Sequence, residues 1–292
     1  MIFDMTDYNS NIKSLAEFLD LNEEEIQEFV LGSTDDVMDF LEAFNIEDEK
    51  LLEKDIELVS LHSTTSIDDC QSIKKKGVIN LQDAVSQETP LKAYLKNKDV
   101  QINIDEKYIL FKGEKLDIGE KTEGFCLSDA DEYKNRIVRK FYDDFQVNGF
   151  LCCENVLTYG GYTRDRPEIL SDLANFLKDE KIELDWVKDK NKKHHIIKFK
   201  QPLNYYIWFT FQVEYEDNDY GITKDNLEYL PSKVIEAKVK KWVIQKSLYI
   251  LKDGIYELYS YVHPKWRIAP KDIIEIMTEQ EYLAKYRSNN DY

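Results

Sequence analysis

The sequence predicts an α+β protein, a mixed or antiparallel sheet domain preceded by a small acidic helical module. Apolar side chains recur at helical spacing between residues 10 and 46, whereas short apolar strands alternate with helices from Ile56 onward. Charge divides at the same place. Residues 1–55 hold 17 Asp and Glu against three Lys, while residues 56–292 hold 40 acidic and 36 basic side chains. Two independent shifts at one place mark a boundary, giving a module over 1–52 and a domain over 53–292. With 42% hydrophobic and 13% aromatic residues in 292, the chain can fill a sizeable core and is not globally disordered.

The elements follow in order. Ile12, Leu15, Phe18 and Leu19 line a first helix, and Ile26, Phe29 and Val30 line a second that Gly32 ends. Ser33 or Thr34 then caps a third, with Asp35 and Asp36 in a first turn suited to carboxylates and Val37, Phe40, Leu41 and Phe44 on its apolar face. Residues 47–55, EDEKLLEKD, read as a linker or short helix. Ile56–Leu61 is a strand, Ser63–Ser66 a hydroxyl-rich turn and Ile67–Lys75 a helix. Pro90 opens a helix over Leu91–Leu95, and strands follow at Gln101–Ile104, Tyr108–Phe111 and Lys115–Ile118. TEGFCL reads as a strand leading to a helix over Tyr133–Tyr142, and Asn148–Cys153 as a short apolar strand. Gly160-Gly161 form a turn into a helix starting near Pro167, a residue favoured at that position. His195–Phe199 and the aromatic Tyr205–Tyr215 are strands, Val234–Leu251 a long helix, Tyr256–Val262 a strand, and Ile268–Ile274 a Pro-started turn or helix.

Several functional classes find no support. No apolar run is long enough to cross a bilayer. The start, MIFDMTDYNS, has neither the basic region nor the apolar core of a secretory signal, so the expected location is cytoplasmic. Cys70, Cys126, Cys152 and Cys153 form no CxxC pair, and His194-His195 lie at a basic strand start with no cysteine nearby. No metal site is expected. P-loop, Rossmann glycine and Ser-elbow patterns are missing. The acidic charge of residues 1–55 repels nucleic acid and suits either a basic protein partner or an ordinary solvated face.

Three segments carry the chemistry. In LVSLHSTTSIDDCQSIKKKGV a strand ends at His62, followed by Ser63, Thr64 and a helix with a Gly-Val exit. The same hydroxyls equally suit a strand-to-helix cap. In GFCLSDADEY, Ser128 and Tyr133 stand at the start of a helix, where Ser128 also fits a capping box. In GIYELYSYV, Glu257 begins a strand, and Ile268-x-Pro270-x-x-Ile273 follows. A charged residue after a Gly turn also suits a sheet rim. Arg164 and Arg166, in TRDRPE, offer forks for phosphate or substrate, or else simple ion pairs at a helix start.

In this order the three segments resemble the ADP-ribosyltransferase superfamily over residues 56–275. Leu127 departs from the aromatic usual there, and HPKWR lengthens the path from Glu257 to Pro270. The resemblance implies an ADP-ribosyltransferase-type fold with NAD as substrate. It implies that His62, Ser63, Thr64, Ser128 and Tyr133 bind NAD, and that Glu257 is the catalytic carboxylate. By analogy alone, it implies a toxin or antiviral-defence effector that modifies a macromolecule. The alternative from a different class is a non-catalytic protein whose acidic module docks a basic partner.

Overall fold

A computed structural model of the chain describes residues 1–32, 36–124, 126–159, 162–211 and 232–286. The expected Ser33 or Thr34 cap with Asp35, Phe125, the Gly160-Gly161 turn and the 212–215 end of the aromatic strand lie outside the described residues. The protein is α+β with antiparallel sheets. Its strands are β1 (Ile2–Phe3), β2 (Glu57–Ser66), β3 (Val100–Asn103), β4 (Tyr108–Phe111), β5 (Glu114–Asp117), β6 (Asn148–Cys152), β7 (Lys193–Pro202), β8 (Leu258–Tyr261) and β9 (Ile273–Thr278). The helices are α1 (Tyr8–Leu19), α2 (Glu23–Gly32), α3 (Val37–Ala43), α4 (Asp48–Leu51), α5 (Gln71–Lys76), α6 (Leu81–Ser86), α7 (Pro90–Lys96), α8 (Asp129–Val138), α9 (Glu168–Leu177), α10 (Lys181–Val187), α11 (Ser232–Asp253) and α12 (Glu279–Tyr286). Among the described residues, no helix is long and apolar enough to cross a membrane.

The chain divides into two units, and each is assembled from three stretches. Unit 1 is Met1–His62, Asn148–Glu154 and Lys198–His263; unit 2 is Ser63–Val147, Asn155–Ile197 and Pro264–Tyr292. In unit 1 the strand order is β8-β6-β2-β7, with β1 parallel to β2 through Ile2↔Glu57 and Phe3↔Leu58. Helices α1, α2 and α3 pack on α11. Their inner faces bury Ile12, Leu15, Phe18, Ile26 and Phe40, and α11 contributes Trp242, Ile244 and Leu248. Polar ties fix this packing. Asn11 Nδ2 donates to the Ser247 carbonyl at 2.9 Å, and the Val37 amide donates to Gln245 Oε1 at 2.9 Å. Buried Lys198 meets Asp4 at 2.6 Å.

Residues 1–52 therefore do not stand as a module of their own. The three helices form where their spacing predicts, yet β1 extends the sheet and α11 supplies the surface on which those helices pack. Asp36 also acts differently from expectation. It is the N-cap of α3, its Oδ1 accepting from the amides of Met38 and Asp39, rather than a first-turn residue.

Unit 2 holds the antiparallel sheet β3-β4-β5 and the β7-β9 pairing. Its core gathers Leu95, Val100, Ile109, Ile137, Phe141, Leu170, Leu173 and Trp186. Gly77, with φ +85, is required where the chain leaves α5, because a Cβ there would lie 1.9 Å from the Ile268 carbonyl oxygen. Val78 and Ile268 exchange two 3.0 Å backbone hydrogen bonds at that point.

Four expectations change in detail. Strand β2 continues through Ser63–Ser66, where a turn was expected. The turn comes later, because Ser66 Oγ accepts from the amides of Asp68 and Cys70 while Asp69 and Cys70 take positive φ. Residues 203–211 form two 3-10 turns rather than a strand, with one bridge, Tyr206↔Val262. Their aromatic density serves burial, as in the 5.3 Å contact of Phe211 with Trp242. Ile273 opens strand β9 instead of closing a turn. The described part of TEGFCL is not a strand.

Candidate functional site

In unit 1, His62 stands on β2 and Glu257 immediately precedes β8. Both strands are neighbours of β6 in the order β8-β6-β2. Leu61, Phe150 and Tyr259 are register partners across the three strands. His62 is one residue past this row and Glu257 two residues before it, so alternation turns the His62 side chain to one face of the sheet while Glu257, bonded to Tyr259, stands on the other. The His62 ring is half-buried and its Nδ1 lies 2.6 Å from the Asn148 carbonyl of β6. A carbonyl only accepts, so Nδ1 carries the proton and Nε2 presents its lone pair. Burial lowers the His62 pKa despite that hydrogen bond, which keeps the ring neutral. Glu257 is exposed, and the Tyr259 hydroxyl donates to its Oε2 at 2.7 Å. The Gly149 position on β6 has no room for a side chain. A Cβ there would be 2.8 Å from the Leu61 carbonyl oxygen and 3.1 Å from Ser260 Oγ.

The other expected site residues lie in unit 2, where several have other work. Ser128 is the N-cap of α8 and forms a full capping box with Asp131. Tyr133 is half-buried on α8, with the Arg136 guanidinium 5.8 Å from its ring centre. Thr64 is half-buried within β2. Arg166 is 6% exposed, paired with Glu183 and set 5.8 Å over the Tyr162 ring. It serves packing rather than an open substrate site. Arg164 is exposed and forks onto Glu279, Nε to Oε1 and Nη2 to Oε2, the latter at 3.0 Å.

Ser63 belongs to an array that sequence reasoning missed. Its Oγ lies 2.9 Å from His194 Nε2 and 3.1 Å from Thr163 Oγ1. On the far side of the ring, His194 Nδ1 is 3.5 Å from Glu279 Oε1, a close electrostatic contact rather than a formed hydrogen bond. Burial lowers the His194 pKa to about 4, with Glu279 opposing and Arg164 and His195 reinforcing the shift. A cleft of about 490 Å3 opens beside these groups, lined by His194, Glu279, Arg164, Lys192 and Gln280 among others. The sequence held one usable signal: Thr278-Glu279-Gln280-Glu281 is a capping box, which places Glu279 at a helix start. In the sequence His194 stands only at a basic strand start with no cysteine nearby. Among the described residues no group of three or more His, Cys, Asp and Glu side chains converges on a metal position.

Comparison with known families, with characterised proteins and with solved structures finds no match for this chain.

Proposed function

We propose that the protein is an NAD-dependent ADP-ribosyltransferase-like enzyme acting on a macromolecule, with Glu257 as its catalytic carboxylate and His62 as an NAD-binding residue. One observation carries the reading. The strand bearing His62 and the strand that Glu257 opens flank a single strand, β6, whose Asn148 carbonyl fixes the His62 tautomer. A neutral imidazole whose Nε2 keeps its lone pair suits acceptance of a hydrogen bond from an NAD hydroxyl. Glu257, steadied by Tyr259, suits the cation that develops when the nicotinamide–ribose bond breaks. In that reaction the bonding pair leaves with nicotinamide. The acceptor's nucleophile bonds to the ribose carbon and releases its proton to solvent.

The test is turnover. Purified protein supplied with NAD and a cell extract as acceptor source releases nicotinamide. Glu257→Gln lowers the rate about 100-fold or more with an unchanged melting transition, because the amide brings no charge to the transition state. The reading fails if Glu257→Gln turns NAD over at the original rate, or if millimolar NAD gives neither turnover nor a thermal shift.

A further inference from the structure

We propose that the Ser63–His194–Glu279 array of unit 2 is a nucleophile site for a small carboxylic ester, with Ser63 Oγ as the attacking atom. These contacts lie inside unit 2 and involve neither His62 nor Glu257. A serine hydroxyl attacks only when a base within hydrogen-bond reach takes its proton and a third group orients that base. Here Nε2 of His194 is 2.9 Å from Ser63 Oγ. Nδ1 turns to Glu279 at 3.5 Å, a separation typical of an unliganded site that tightens on binding. The His194 side chain is only 4% exposed, and its Nδ1 has no hydrogen-bond partner among the described residues. Arg164 pairs with Glu279, its Nη2 donating to Oε2 at 3.0 Å and its Nε beside Oε1.

The surroundings suit the charge that would develop. Helix α12 begins at Glu279, on the wall of the cleft. The Thr278–Glu281 capping box occupies the amides of Thr278 and Glu281, whereas those of Glu279 and Gln280 have no acceptor inside the helix. Such a helix start favours the Glu279 carboxylate, whose charge faces the imidazolium that forms in the reaction. Thr163 Oγ1, 3.1 Å from Ser63 Oγ, is a second hydroxyl donor beside the attacking atom. The low pKa of His194 keeps it a neutral base at pH 7. Ser63 itself is partly exposed; the cleft of about 490 Å3 borders His194 and Glu279 and is not lined by Ser63.

The step balances without a co-reactant beyond water. Ser63 Oγ bonds to the carbonyl carbon, and its proton passes to His194 Nε2. The carbon–oxygen bond to the alcohol breaks, and the leaving oxygen takes that proton. Water then repeats the sequence, releasing the acid and restoring Ser63.

The full chain is treated with a fluorophosphonate probe, and the adduct is mapped by peptide mass spectrometry. Hydrolysis of 4-nitrophenyl acetate is followed in parallel. A single adduct on Ser63 is expected, with labelling slowed about 100-fold or more in His194→Gln and a wild-type rate flat from pH 8 down to about 5. Ser63→Ala removes both the adduct and ester hydrolysis. If that variant does not fold, the mapped wild-type adduct and His194→Gln decide. No adduct on the folded wild type, an adduct elsewhere, or equal labelling of His194→Gln overturns the proposal.

Discussion

His194 shows how one buried side chain links stability to pH. Its neighbours from every side are Ser63, Glu279, Arg164 and His195, and burial outweighs the carboxylate to bring its pKa to about 4. An unfolded histidine titrates near 6.5, so between pH 6.5 and 4 the unfolded chain binds a proton that the folded chain refuses. Stability from this group is therefore complete above pH 6.5 and is lost as pH falls toward 4. The full effect is on the order of 3 kcal/mol. Burial shifts His62 and His195 in the same direction. Denaturant unfolding at pH 7 and pH 4.5 should show a larger loss for the wild type than for His194→Gln; equal losses would refute the assignment. Glu257 stands immediately before β8, close to where its Gly-flanked position suggests, whereas His62 lies inside β2 rather than at its end. The partnership of His194 with Ser63 was not legible in the sequence, because 131 residues separate them and neither has a local signature.

Among the elements, helical periodicity located α1, α2 and α3 because their apolar spacing is a local property of the chain. What covers those apolar faces is not local. Helix α11 lies roughly two hundred residues further on, and its ties to Asn11 and to the Val37 amide appear only in three dimensions. The charge step near residue 55 misled for the same reason. Glu23, Glu24, Glu25 and Glu28 are simply the exposed side of helices whose other side is core. Strand β9 escaped notice because Pro270 reads as a turn former, and the 3-10 turn at Pro270–Asp272 occupies only three residues before the strand begins. A protein lacking residues 1–52 should not fold. It would lose buried Phe3, Met5, Ile12, Leu15, Phe18 and Phe40, each worth about 1.5–3 kcal/mol, against a typical total stability of about 5–15 kcal/mol. A cooperative melt of the 53–292 fragment near the full-length temperature would contradict this and restore a separable module.

At the scale of the whole molecule, each unit is stitched from three stretches, and β2 and β7 both pass from one unit into the other. A reading along the chain finds the α+β class because that depends on local periodicity. It misses the division, because strand order and long-range burial set it. The boundary between His62 and Ser63 has a chemical consequence: adjacent residues serve different arrays, His62 with Asn148 in unit 1 and Ser63 with His194 in unit 2. The central claim concerns Glu257. The most direct measurement is a crystal structure of the Glu257→Gln protein with NAD bound, since loss of turnover preserves the substrate. The account predicts the nicotinamide ribose within hydrogen-bond distance of position 257. NAD seated away from position 257 would contradict it.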